Sequence, residues 1–167
     1  MKSFAFVCLR LALLACAGAP LAQAQSAAAE PIVVGASLPL SGPNAAAGKE
    51  GLAVISAYFD SVNRAGGIDG RPLQLSALDD AFNPQKAADN ARALAAGKAV
   101  AIVNCWGTSS CSAMVPVVTQ AGLPLVGGIA GGGAMRSAPG RYAFNIRAST
   151  VAEIDAMVKH MDSIGQK

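Results

Sequence analysis

Apolar positions along the chain change their spacing several times, and each change marks an element. Ile32-Val33-Val34-Gly35-Ala36 is a short unbroken apolar run, of the kind that forms a strand buried on both faces. Ser41-Gly42-Pro43-Asn44 breaks the chain after it. From Lys49 the spacing becomes three and four: Leu52, Ile55, Phe59 and Val62 line one face of a helix, which Gly66-Gly67 ends. Asp69-Gly70 is a turn signal, and Leu73, Leu75 and Ala77 then alternate with Gln74 and Ser76 in a strand that stops at Asp79-Asp80. Asn83 is a good N-cap, and Pro84 suits the first helical position, where its missing N–H is no loss. The helix they open carries Ala87, Ala91, Leu94 and Ala95 on its apolar face and closes at Gly97. Ala99 to Val103 is a third strand, Trp106 to Ser110 a loop, and a helix follows to about Ala121. Leu123 to Val126 is a fourth strand, Gly127 to Gly133 a glycine-rich loop, and Tyr142 to Arg147 an extended segment. Ser149 or Thr150 caps a last helix whose apolar face carries Ile154, Met157, Met161 and Ile164.

Strands alternating with helices make βαβ units, and right-handed crossovers turn these into a mostly parallel sheet. The pattern predicts an α/β fold, a doubly wound sheet with helices on both faces. Ligands of such sheets sit outside the carboxyl ends of the strands, near the point where strand order reverses. Four loops qualify: Ser41-Gly42, Asp79-Asp80, Cys105 to Ser110, and Gly127 to Gly133.

The first 24 residues read differently. Lys2 is followed by an apolar run from Phe4 to Ala17, and Ala22-Gln23-Ala24 is a small-x-small cleavage pattern, so residues 1–24 read as a secretory signal peptide. Arg10 interrupts the run, which is too short for an ordinary membrane span. Leu13-Leu14-Ala15-Cys16 loosely resembles a lipobox, which would make Cys16 a lipid anchor, but the downstream cleavage pattern fits better. Residues 25–31 read as a linker. Setting aside residues 1–24 leaves 143 of the 167, enough for one domain with a core. Lys2 and Arg10 go with them, so the 13 basic residues become 11 against 10 acidic ones. With no basic run and few aromatics, nucleic acid is not an expected partner. Cys105 and Cys111 remain, a candidate disulfide in an oxidising compartment. Their positions about one turn weigh against the bridge, since their Cα atoms could lie too far apart.

Trp106-Gly107-Thr108-Ser109-Ser110 is the best candidate site. It leads from a strand end into a helix start, where unpaired N–H groups and the helix dipole favour an anion. The hydroxyls can donate to a carboxylate, and Trp106 can wall the ligand's body. The loop holds no Lys or Arg, which suits a carboxylate better than a triphosphate. A plain helix cap with Trp106 packed on a neighbour is the competing account. Gly127 to Gly133 lets backbone approach a ligand closely, yet it lies after the fourth strand and is not a dinucleotide fingerprint. Asp79-Asp80 reads as strand-end carboxylates capping the next turn rather than as metal ligands or an acid/base pair. His160, the sole histidine, falls on the last helix away from the four loops, which leaves Cys105 or a Ser without the usual base. No metal site, cofactor or catalytic residue is expected.

Several of these segments together carry a resemblance: Gly35-Ala36-Ser37-Leu38-Pro39-Leu40-Ser41-Gly42-Pro43, Asn63-Arg64-Ala65-Gly66-Gly67-Ile68-Asp69-Gly70-Arg71, Asp79-Asp80-Ala81-Phe82-Asn83-Pro84, Gly107-Thr108, Ala121-Gly122-Leu123-Pro124-Leu125-Val126-Gly127 and Phe144-Asn145-Ile146-Arg147. In this order they resemble the leucine/isoleucine/valine-binding family of type I periplasmic binding proteins, the receptors of ABC importers. The resemblance implies a two-lobed clamp that holds an amino acid or similar small carboxylate and delivers it to an inner-membrane permease. It implies ligand-binding roles for Trp106, Gly107 and Thr108 after the third strand, and for Ile129, Ala130 and Gly131 after the fourth. It assigns residues 32–147 to the first lobe and residues 148–167 to a crossover helix, the chain stopping about where a second lobe's first strand should begin. A monomeric periplasmic receptor is the expectation, truncated and weak in binding alone. A sensory or structural domain of the same fold is the alternative, and an exported hydrolase using Cys105 or a Ser with His160 is a third.

Overall fold

The computed structural model describes residues 29–136 and 141–166. The predicted signal peptide, Cys16 and most of the linker lie outside the described residues. Five strands, β1 (Ile32–Leu38), β2 (Leu73–Asp79), β3 (Ala101–Trp106), β4 (Leu125–Ile129) and β5 (Ala143–Asn145), alternate with four helices. The helices are α1 (Ala45–Arg64), α2 (Pro84–Ala96), α3 (Thr108–Ala121) and α4 (Thr150–Ser163). The strands form one parallel sheet in the order β2-β1-β3-β4-β5. The order reverses between β1 and β3, so right-handed crossovers send α1 to one face and α2 and α3 to the other. The doubly wound α/β fold expected from the pattern is the fold observed.

The core lies mainly under α2 and α3. Ala87, Ala91 and Leu94 of α2 and Met114, Val115 and Val118 of α3 pack with Ile102, Cys105 and Leu125 of the sheet. The apolar face predicted for α2 is therefore the buried one. Asn83 caps that helix as expected, its side chain accepting from Lys86 N at 3.0 Å, with Pro84 at the first position. Across the sheet Val103, one residue from Ile102 and so on the opposite face, lines a cavity together with Ile55 and Phe59 of α1. The face predicted for α1 (Leu52, Ile55, Phe59 and Val62) is only half-buried, and Val54 and Tyr58 beside it are exposed.

Several boundaries differ from expectation, and three of them bear on the strand ends. Helix α1 starts at Ala45 rather than Lys49, because buried Gly48 lets its first turn lie directly on the carbonyl of Pro39. Strand β3 runs on to Trp106, which belongs to the sheet and not to a loop. Strand β4 runs through Gly127 and Gly128 to Ile129, so the first three residues of the supposed glycine loop are strand. The missing side chains explain the last case: a Cβ on Gly128 would come 2.8 Å from Met135 Cε and 3.0 Å from Asn145 Oδ1. A further correction concerns the cysteines. Cys105 and Cys111 form a disulfide, for α3 begins so soon after β3 that it brings their Cα atoms to 5.5 Å.

Helix α4 is capped by Ser149, whose Oγ accepts from Ala152 N at 3.0 Å. None of its residues is buried, so the apolar face of Ile154, Met157, Met161 and Ile164 is open. Among the described residues no helix is long and apolar enough to cross a membrane.

Candidate functional site

The carboxyl ends of β3 and β4 lie side by side. Trp106 is the register partner of Ile129, and Gly107 N donates to Ile129 O at 3.3 Å. The two halves of the predicted site are thus brought together. Gly107 is the pivot, at φ 85, where its backbone leaves the sheet and opens α3. Its carbonyl accepts from Cys111 N at 3.0 Å, the first bond of the helix. The N–H groups of Thr108, Ser109 and Ser110 precede that bond and have no acceptor among the described residues. Ser110 Oγ is buried and likewise without a partner among them. The disulfide spans this turn from below, tying the penultimate residue of β3 to the first turn of α3.

The loop after β4 is organised differently from the expectation. Its carbonyls are occupied within the protein: Ile129 O by Gly107 N, Gly131 O by Thr150 N at 2.9 Å, and Ala130 O and Gly132 O by Arg136 Nη1 at 3.0 and 2.9 Å. Ala130 is 1% exposed. What this loop has left to offer a ligand is amide N–H rather than C=O. The loop also lies against α3, since a Cβ on Gly132 would collide with Thr108 Cγ2.

A hollow of about 220 Å³ opens beside these strand ends, lined by Phe82, Trp106, Gly107, Ile129 and Arg147. Three of the six predicted residues, Trp106, Gly107 and Ile129, line it. Thr108, Ala130 and Gly131 do not, although they adjoin those that do. Phe82 and Arg147 were not foreseen as site residues. The Phe82 ring meets Trp106 edge-on, with centroids 6.5 Å apart at 68°. Arg147 brings a cation that the loop itself lacks. Its Nε and Nη2 donate to Glu153 Oε1 and Oε2 at 2.8 and 2.6 Å, and this pairing raises the arginine's pKa and lowers the glutamate's. Arg136 Nη2 donates to Arg147 O, so both guanidinium groups brace the same rim. Each missed residue stood in a segment carrying the resemblance, Phe82 before Asn83-Pro84 and Arg147 after Phe144-Asn145-Ile146. That was the signal available for them.

Asp79 and Asp80 behave as turn caps, as expected. Asp79 Oδ1 accepts from Leu40 N, Ser41 N and Ala81 N at 2.8, 3.2 and 2.8 Å, and Oδ2 from Ser41 Oγ at 2.6 Å. Led by the Ser41 hydroxyl, these donors hold the Asp79 carboxyl at a pKa of about 2, below the ordinary 3.8. Asp80 is buried and accepts from Ser37 Oγ at 2.9 Å and Phe82 N at 2.8 Å; burial pushes its pKa up. The sulfur of Cys105 is in a disulfide and buried, so it is no free thiolate, and His160 is an exposed residue of α4. The hydrolase account loses its cysteine nucleophile.

Relatives of known type share this arrangement of sheet and loops. The chain is 38% identical over 96 residues to Leu/Ile/Val-binding protein homolog 4 of Brucella abortus, a match covering 58% of this chain and 23% of that protein. It superposes on a substrate-binding periplasmic protein from Ralstonia solanacearum with a TM-score of 0.74 and 37% identity, covering 80% of this chain and 38% of that one. The branched-chain amino acid transporter substrate binding protein of Streptococcus pneumoniae, solved with isoleucine, gives a TM-score of 0.66 at 27% identity, covering 71% and 34%. The chain thus spans about a quarter of the curated relatives' length. The family model for periplasmic binding proteins matches residues 31–167 of the 167. On that match the chain belongs to the periplasmic binding protein family.

Proposed function

We propose that residues 32–147 are the first lobe of an exported receptor that binds an amino acid, branched-chain or similar, for an ABC permease of the inner membrane. In this reading residues 1–24 direct the chain to the periplasm, residues 148–167 lead away from the lobe, and the protein works as a monomer without a cofactor. The ligand's carboxylate lies against the N–H groups of Thr108, Ser109 and Ser110, with the amides of Gly131 and Gly132 beside them. Its body rests against Trp106 and Ile129. The observation that carries the reading is the pairing of Trp106 with Ile129, which sets the unpaired start of α3 next to the loop after β4. The names of the relatives, one of them solved with isoleucine, support the ligand class.

Groups from one lobe enclose only one side of a ligand, so affinity of this chain alone is weak, with Kd roughly 1 mM or above. Titration of the ¹⁵N-labelled protein with L-isoleucine reads such affinities. The amide signals of Thr108 to Ser110 and of Gly131 and Gly132 are expected to move, whereas an amine of similar shape without a carboxylate, 2-methylbutylamine, leaves them in place. Signals that ignore isoleucine, or that respond equally to the amine, refute carboxylate capture at this turn.

A further inference from the structure

Among the described residues, two consecutive non-glycine residues in the left-handed region stand out, Ala81 at φ 49 and Phe82 at φ 59. A bulky side chain there is a genuine outlier, held at a cost that surrounding structure must offset. The surroundings do so through both aspartates: Ala81 N donates to Asp79 Oδ1 and Phe82 N to Asp80 Oδ1, each at 2.8 Å. Asp80 is itself fixed by Ser37, whose Oγ accepts from Asn90 Nδ2 at 3.1 Å. Glycine or asparagine would adopt this backbone with less strain. The chain instead presents a phenyl ring, 37% exposed, at the edge of the hollow.

The ring also dictates its neighbour. A Cβ on Gly107 would lie 2.5 Å from Phe82 Cε2 and 2.7 Å from Cζ, so the ring occupies the place a side chain would take at the start of α3. Phe82 therefore sits directly on the residue that precedes the unpaired amides. It completes an apolar wall with Trp106 and Ile129, and among the described residues that line the hollow only Arg147 is charged.

We propose that Phe82 is a specificity-determining residue: the strained turn exists to hold its ring where the body of a ligand lies, so that the site selects carboxylates with a bulky apolar side chain. The proposal rests on the receptor reading above and adds to it the residue that chooses among amino acids. L-Isoleucine and L-alanine share their charged head and differ in the body, so their affinity ratio isolates the contribution of the wall.

The test measures that ratio by amide titration in the wild type and in Phe82→Gly, Phe82→Asn and Phe82→Tyr, with melting temperatures alongside. Wild type prefers isoleucine, by about tenfold if the wall contributes as an apolar contact of one side chain. Phe82→Gly and Phe82→Asn are expected to lose the preference while melting within about 3 °C of wild type, because relief of the backbone offsets the lost ring contacts. Phe82→Tyr keeps a ring and keeps the preference. A preference that survives in Phe82→Gly overturns the proposal and leaves the receptor reading intact. So does a fall of about 10 °C or more in both the glycine and asparagine variants, which marks the ring as core packing. Failure of both amino acids to move the amides of Thr108 to Ser110 in wild type overturns the receptor reading, and Phe82's role with it.

Discussion

The carboxylate that ends β2 accepts four hydrogen bonds while its neighbour is buried, and their pKa values are shifted in opposite directions. Asp79 has a folded pKa of about 2 against an ordinary 3.8, so its contribution to stability is complete above pH 4 and is lost as pH falls towards 2. Allowing for its exposure to solvent, that contribution is roughly 1 kcal/mol. Asp80 is shifted upward by burial, so its charged form opposes folding and protonation relieves it as pH falls towards the ordinary range. Asp79→Asn is expected to lower stability at pH 7 by about that kilocalorie and to make the decline between pH 4 and 2 shallower. Urea midpoints for both proteins across that range check it; a variant that tracks wild type at every pH contradicts the role given to Asp79. The aspartates were readable as turn caps from their place between a strand and Asn83-Pro84. That they also set the backbone of Phe82 was not, because left-handed torsions at Ala81 and Phe82 have no signature in those residue types.

The elements themselves were mostly legible, and the exceptions share a cause. Period-three and period-four spacing located α1, α2 and α4, apolar runs located β1, β3 and β4, and alternation located β2, because those patterns reflect which faces are covered. Gly127 and Gly128 read as loop since glycine has low strand propensity, yet the bareness of Gly128 makes room for Met135, Asn145 and Cys105, and Gly127 takes a positive φ of 78. Sequence spacing also weighed against joining Cys105 to Cys111, and only the abrupt turn at Gly107 shows why the bridge closes. Closing so short a loop stabilises the fold by about 2 kcal/mol in the chain-entropy account. Reduction with a phosphine is expected to lower the free energy of unfolding by that amount, read from urea midpoints. An unchanged midpoint, with thiol titration verifying reduction, rules out the bridge as a stabiliser of the β3–α3 turn.

At the scale of the whole molecule, the parallel sheet and its two covered faces followed from the alternation of elements and the handedness of crossovers, whereas the strand order came only from the structure. The hollow did not, since Phe82 and Arg147 come from the ends of β2 and β5 and meet Trp106 only once the sheet is assembled. Helix α4, with no buried residue, is attached to that assembly chiefly through its first turn: Thr150 N donates to Gly131 O, and Glu153 holds Arg147. Gly131→Ala is expected to disturb both partners, because its Cβ would collide with Thr150 Oγ1. Amide shifts should then change at Thr150 to Glu153 as well as at Gly131 and Gly132, while β1 and β2 keep theirs. Changes confined to the loop would dissociate the two. Gly131 and Thr150 thus make a tight joint between the rim of the hollow and the root of α4. A swing of that helix, lever-like over its 14 residues, cannot leave the rim at rest, so whatever moves α4 also reshapes the hollow beside the ends of β3 and β4.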